Sequence, residues 1–342
     1  MIMTGLLVAM LPYRKNFDVN PYTALLADPM QRCNVEVIEF GWNLRSFFSD
    51  VVHFHWPNDF FNAPTVQRQI QVWKKLLWLA MFRAKGGHVV WTVHNAWPHD
   101  QSKRRSLQLR IFLALIDGII FLNRTSKDIV LAEYAILRGK KNAVIPHGSF
   151  DELFSIPSKQ KKYALHCPVR LGYFGLIRPY KQLDRLLNCM KDISTTEASL
   201  AIVGTSFGYP ELEQQIKELA RGLRNVHLSL AHLTHDQLMR FVDDSDAVIL
   251  PYRHILNSGA AILALSRQRP IMVPGLGGML ELREAAGANW VFCYSGDLTS
   301  EKIREFIGWV KATPRASPPD MTSFDPEIVA ASTVRFYRLL KQ

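Results

Sequence analysis

Residues 171–190 read LGYFGLIRPYKQLDRLLNCM. An apolar run stops at Gly175, a polar loop carries Arg178 and Lys181, and Leu183, Leu186, Leu187 and Met190 then recur at helical spacing. A buried strand feeding an amphipathic helix gives this change of period. Such a strand–loop–helix unit belongs to a parallel α/β sheet, in which ligands collect beyond the carboxyl ends of the strands. Gly175 lets a ligand approach the backbone closely. Arg178 offers a planar fork to phosphate oxygens, and Lys181 adds a compact charge at a helix start that itself attracts anions. The plain alternative is two ordinary loop cations.

The same unit recurs on both sides of this stretch. Apolar runs at 6–11, 34–40, 51–55, 88–94, 118–122 and 142–146 alternate with helical patterns at 22–26, 66–83, 106–116 and 127–138. After a basic, proline-flanked segment at 156–168 the pattern restarts. Strands are expected at 169–174, 198–203, 226–230, 247–250, 270–273 and 290–294, with helices at 183–190, 209–221, 234–243, 259–266 and 300–311. The expectation is an α/β protein of two Rossmann-like, doubly wound domains facing across a cleft. Residues 1–160 form the first and 161–325 the second, and residues 326–342 form a helix packing back on the first.

The 342 residues are 48% apolar and 21% charged, which excludes a disordered chain. The net charge is +11, and residues 1–165 hold 21 Lys+Arg against 12 Asp+Glu. A basic half implies an anionic partner: a phosphate-bearing substrate, an acidic membrane surface or nucleic acid. No RNP-like motif, zinc finger or helix-turn-helix supports nucleic acid. The four cysteines lack metal-ligand spacing and read as buried thiols in a reducing compartment. No basic stretch or cleavage site accompanies the 6–11 run, and no window offers the roughly 18 apolar residues of a membrane span. A cytoplasmic protein, soluble or peripheral, is expected.

A second loop, in LPYRHILNSGAAILALSRQRPIMVP (250–274), passes Tyr252 and reaches Asn257-Ser258-Gly259 at the start of a small-residue helix. A helix capped by Asn257 or Ser258 turns backbone N–H groups outward and makes a second phosphate seat, although a plain cap explains the pair equally. Gly204 and His232 follow two further strands at the same sheet edge. Asp244-Ser245-Asp246 has the D-x-D pattern of metal-dependent transferases, but it precedes a strand and reads as a solvated turn. Residues 66–85 combine Trp73, Leu76, Leu77, Trp78, Met81 and Phe82 with five cations, a composition suited to an anionic membrane surface or to packing on the sheet.

These motifs resemble the nucleotide-sugar glycosyltransferases of the GT-B fold, and more closely glycosyltransferase family 94. The resemblance runs through Asn20-Pro21-Tyr22, His53-Phe54-His55-Trp56-Pro57, Thr92-Val93-His94-Asn95 and His147-Gly148. It continues through FGLIRPYK, Leu250-Pro251-Tyr252, the NSG loop and Trp290-Val291-Phe292. It implies transfer of mannose from GDP-mannose, with inversion, to a polyprenyl-diphosphate-linked oligosaccharide at the inner membrane face. No cofactor or metal is implied. Retaining relatives carry Glu-x7-Glu across the segment aligned with 255–265, and no Glu occurs there. Arg178, Lys181, Asn257, Ser258 and Gly259 would hold the donor diphosphate; Gly175, Gly204, His232 and Tyr252 would contact its nucleotide or sugar. An inverting transferase needs a base for the acceptor hydroxyl. Asp100 is assigned that role, with His94 as the alternative base or as a hydrogen-bond donor. His55, Trp56, Asp59, Lys103 and Arg104 are the candidate acceptor contacts, although His53 and His55 also suit hydrogen bonding within the fold. Two other readings stay open: another donor, such as UDP-glucose or GDP-fucose, and a non-catalytic sugar-nucleotide binder.

Overall fold

Among the described residues, twelve strands form two separate parallel sheets of six. The structure, a computed structural model, describes residues 5–15, 17, 20–95, 106–150, 165–206 and 208–342. The chain divides into two compact units, Met1–Gly148 with Ser323–Gln342, and Ser149–Thr322. Most of the expected linker, and the expected boundary at 160, lie outside the described residues.

Unit 1 runs β1 (Leu6–Leu11), α1 (Tyr22–Met30), β2 (Val35–Glu39), α2 (Leu44–Phe47), β3 (Val51–Phe54), α3 (Asn58–Phe61) and α4 (Val66–Ala84). It continues through β4 (His88–Val93), α5 (Leu107–Leu115), β5 (Gly118–Phe121), α6 (Arg124–Glu133) and β6 (Lys141–Val144). The strand order is β2-β1-β3-β4-β5-β6. Val8 of β1 pairs with Val37 on one side and Val51 on the other. Helices cover both faces, so the central strands carry unbroken apolar runs instead of alternating.

Unit 2 runs β7 (Val169–Phe174), α7 (Leu183–Met190), β8 (Ala198–Val203), α8 (Pro210–Ala220), β9 (Val226–Ser229) and α9 (His235–Asp244). It continues through β10 (Ala247–Ile249), α10 (Gly259–Ser266), β11 (Ile271–Pro274), α11 (Met279–Ala286), β12 (Val291–Tyr294) and α12 (Ser300–Ala312). Its order is β12-β11-β10-β7-β8-β9. Leu183, Leu186 and Leu187 of α7 are buried against Leu171 and Tyr173 of β7. Each such side chain contributes roughly 1.5–3 kcal/mol.

The chain then returns to unit 1 as α13 (Pro326–Leu340), capped by Asp325 and packed on α1. A Cβ at Gly118 of β5 would stand 2.9 Å from both Phe336 and Leu340, so glycine there lets the helix seat on the sheet.

Several elements depart from the sequence expectations. The helix expected at 127–138 starts earlier, at Arg124, because Asn123 accepts from the Ser126 amide at 2.7 Å and caps it. It stops at Tyr134, whose φ of −114° and ψ of 83° leave the helical region. Helix α11 and the one-turn helices α2 and α3 were not expected; α11 is bounded by Gly278 and Gly287, which disguise it as loop. Cys189 is buried and Cys33 and Cys293 partly so, but Cys167 is exposed. Asp246 is not a solvated turn residue. It is buried and accepts from the Arg170 amide (2.8 Å), the His166 amide (3.2 Å) and His166 Nδ1 (2.8 Å), tying the start of β10 to the start of β7. The apolar residues of α4 divide between two faces: Val72, Leu76, Leu79 and Phe82 are buried, whereas Trp73, Leu77 and Met81 are exposed.

Candidate active site

In unit 2 the chain enters the sheet at β7, adds β8 and β9 on one side and β10, β11 and β12 on the other, so the strand order reverses between β7 and β10. Such a switch point leaves a crevice beyond the strand ends. β7 turns off at Gly175, whose φ is +111°. Its amide donates to the Val203 carbonyl (3.1 Å) and the Ile177 amide to the Thr205 carbonyl (2.8 Å), laying the loop over the end of β8. A Cβ on Gly204 would fall 2.0 Å from the Gly175 carbonyl oxygen, so only glycine permits this contact.

The loop then makes a short turn, Pro179–Lys181, and Gln182 in the left-handed region leads into α7. The Lys181 ammonium returns to Gly175, 3.3 Å from where a Cβ would stand, and lies 5.7 Å from the Tyr252 ring centroid. Burial, followed by the charge of Arg178, lowers the Lys181 pKa to about 8. Among the described residues no carboxylate pairs with this ammonium. The Arg178 guanidinium lies over the Tyr209 ring at 4.8 Å.

The second loop joins the first through the Arg253 amide, which donates to the Tyr180 carbonyl at 2.8 Å. Tyr252 Oη and Ser258 Oγ are 3.2 Å apart, and Ser258 Oγ accepts from the Ala261 amide at 3.1 Å, capping α10. The first intrahelical bond there is from Ile262 to Ser258, so the amides of Gly259 and Ala260 precede the ladder. Asn257 sits immediately before the cap, half-buried. The structure thus brings Gly175, Arg178, Lys181, Gly204, Tyr252, Ser258 and Gly259 to one edge. His232 is exposed beyond β9, the outermost strand, and makes no hydrogen bond, ion pair or ring contact with this group among the described residues. Sequence reading missed Tyr209, and also Tyr173, whose hydroxyl is fully buried without a partner among the described residues.

In unit 1 the ends of β3 and β4 place His55, Trp56 and His94 together. His55 Nδ1 and His94 Nε2 are 3.2 Å apart, and Trp56 stacks on His94 at 4.5 Å. Tyr22, at the start of α1, meets the rings of His94 (4.7 Å), His147 (4.3 Å) and His55 (5.4 Å) edge-on or tilted. His53, one strand repeat below, bonds Tyr337 Oη at 2.6 Å through Nδ1 and Thr92 Oγ1 at 2.7 Å through Nε2. His147 Nδ1 donates to the Gly148 carbonyl at 2.7 Å. Burial holds His53 at about 3 and His147 at about 4, and holds His55 and His94 well below the usual value, with neighbouring histidines adding to the effect. All four are therefore neutral at pH 7. A neutral imidazole can accept or donate hydrogen bonds, but burial that penalises imidazolium makes His94 a weak proton acceptor.

Trp56, His55 and His94 line a narrow pocket with Trp91 and Asn95. Asp59 does not reach this group: α3 turns it outward, where it pairs with Lys75 of α4. Asp100, Lys103 and Arg104 lie outside the described residues. Tyr22 and His147 are members of the cluster that sequence reading did not assign to the site.

The chain superposes on sucrose-phosphate synthase from Thermosynechococcus elongatus with a TM-score of 0.69 at 14% identity, covering 98% of this chain and 99% of that one. The UDP-forming α,α-trehalose-phosphate synthase of Burkholderia xenovorans aligns with a TM-score of 0.68 at 10% identity, covering 99% and 100%. The fold is that of the GT-B glycosyltransferases. No protein-family model matches the chain. It is 30% identical over 315 residues, 91% of this chain and 86% of the relative, to the GDP-mannose:glycolipid 4-β-D-mannosyltransferase of Xanthomonas campestris pv. campestris. The chain belongs to the family of that mannosyltransferase, and it is a glycosyltransferase.

Proposed function

We propose that this enzyme, of the family-94 type, transfers mannose from GDP-mannose with inversion to a polyprenyl-diphosphate-linked oligosaccharide in exopolysaccharide assembly. It works without a metal ion, attached peripherally to the inner face of the membrane. The observation that carries the reading is the Lys181 ammonium, partly withdrawn from water beside Gly175 with no carboxylate partner among the described residues. A buried cation is costly unless an anion meets it. A diphosphate supplies that anion, and the relative's name supplies the nucleotide and sugar.

In the proposed reaction the acceptor hydroxyl oxygen forms a bond to the anomeric carbon while the bond from that carbon to the β-phosphate oxygen breaks. The electron pair leaves on GDP, and Arg178, Lys181 and the amides opening α10 stabilise the developing charge. Tyr252 and Ser258 position that helix start. Asp100 takes the hydroxyl proton. His94 and His55, neutral and mutually bonded, hydrogen-bond acceptor hydroxyls, and Trp56 offers an apolar sugar platform. The absence of Glu from residues 255–265 supports inversion over retention.

A thermal-shift panel tests the donor: GDP and GDP-mannose should raise the melting temperature more than UDP and UDP-glucose at equal concentration. Transfer should also persist in EDTA. A larger shift with UDP-glucose, or transfer abolished by EDTA and restored by magnesium or manganese, contradicts the reading.

A further inference from the structure

Helix α4 has a second apolar face. Val66, Ile70, Trp73, Leu77 and Met81 follow at spacings of four, three, four and four, which place them in one stripe along about 22 Å of helix. All five are exposed, Val66 at 72% and Leu77 at 62%. Val72, Leu76, Leu79 and Phe82 meanwhile pack the opposite side into unit 1. Helix α2 lies against α4 through Phe47 and Trp78, whose rings are 5.5 Å apart, and adds exposed Leu44 and Phe48. Five exposed apolar side chains in one row along a helix mark an interaction site.

Charge selects the occupant. The nineteen residues of α4 include no Asp or Glu, and Arg68, Lys74, Lys75 and Arg83 give the helix four cations. Lys75 and Arg83 are paired with Asp59 and Asp117. Lys74, beside the stripe, makes no ion pair among the described residues; Arg45 of α2 and Lys85 at the end of α4 are also exposed, Arg45 3.7 Å from Glu36 and Lys85 donating to the Ser49 carbonyl at 3.1 Å. Two copies meeting through this face would bring like charges together. An anionic bilayer satisfies both features, because the apolar stripe enters the acyl boundary while the lysines meet lipid phosphates.

We propose that the outer stripe of α4, extended by Leu44 and Phe48, is the surface by which this enzyme lies on an anionic membrane. This rests on the reading that its acceptor is lipid-linked, and it assigns the contact to one face of unit 1. The helix then has two duties on opposite sides: one apolar row holds the Rossmann-like unit together and the other holds the unit to the bilayer.

The test uses the purified full chain and flotation with vesicles of phosphatidylcholine, with or without phosphatidylglycerol. Wild-type protein should float with the anionic vesicles, and less so at high salt. The pair Trp73→Glu and Leu77→Glu should weaken partitioning about 10-fold or more, and Lys74→Glu should weaken it on anionic vesicles alone. Both sites are exposed, so the melting temperature should hold, as should transfer to a short-chain, water-soluble acceptor. Wild-type protein that ignores anionic vesicles, or a Glu pair that floats like wild type, overturns the proposal. So does a wild-type dimer that the Glu pair dissolves while vesicle binding is unchanged, since a second copy then occupies the face. Failure of the substrate reading is seen separately, as absent mannosyl transfer to the soluble acceptor.

Discussion

Lys181→Ala is expected to lower kcat/KM for sugar transfer by about 10²–10³-fold, the effect of removing one preorganised charge donor at a leaving group. The side chain is placed by a chain of local choices. Gly204 allows the 175–177 loop to lie on β8, and the left-handed Gln182 turns the chain into α7. Gly175 leaves room for the ammonium to return over the strand end. Because burial and Arg178 hold this ammonium at about 8, the free enzyme loses the charge as pH rises through that value, and donor binding should weaken above it. A bound diphosphate favours the charged form, so GDP binding near pH 8 should take up roughly half a proton. Calorimetry in buffers of different ionisation enthalpy would detect it. Lys181→Met should raise the melting temperature of the ligand-free protein while abolishing this uptake, because the buried charge serves binding and costs stability. Activity within a factor of two of wild type in Lys181→Ala would remove the residue from the reaction.

Mild acid is expected to unfold unit 1 well before carboxylate titration begins. Four histidines are buried there as neutral rings, with His53 at about 3 and His147 at about 4, while in the unfolded chain each titrates near 6.5. Above about 6.5 both states are unprotonated and no penalty arises. As pH falls below it the unfolded chain binds protons that the folded unit refuses, so stability drops until the folded values are reached. Each such group contributes a slope of up to about 1.4 kcal/mol per pH unit. Together they amount to several kcal/mol by pH 5, a large part of the roughly 5–15 kcal/mol that keeps a domain folded. His88, lowered chiefly by burial, adds to the same slope. Denaturant midpoints at pH 7, 6 and 5 should report about three or more protons taken up on unfolding. An uptake below one proton would mean that the rings are solvated or already charged in the folded protein.

Much of this architecture was legible in the chain. The bounds read for β1, β7, β8, α7 and α10 coincide with those observed, because strands covered on both faces are written as apolar runs and the helices between them as three- and four-residue spacings. The cationic edge of unit 2 was legible for the same reason, since Gly175, Arg178 and Lys181 sit within one strand–loop–helix unit. Other features depend on segments far apart in sequence. Asp246 looked like part of a solvated D-x-D turn, and only folding brings it to His166 and Arg170, 80 and 76 residues away. Tyr22 at a helix start and His94 and His147 after two strands converge, and no local pattern announces that Tyr22 lies between the imidazoles. The two faces of α4 escaped for a different reason. Its apolar residues encircle the helix so fully that their spacing does not say which row the sheet will cover.

The central claim is that Arg178 and Lys181 neutralise a nucleotide diphosphate at the β7–β10 switch point. A crystal structure of the GDP complex grown in EDTA tests it most directly. The β-phosphate oxygens should lie within hydrogen-bonding reach of Lys181 Nζ and the Arg178 guanidinium, with the amides at the start of α10 facing the same group. GDP bound elsewhere, or held through a divalent ion with Lys181 still against Gly175 and out of contact, would contradict it.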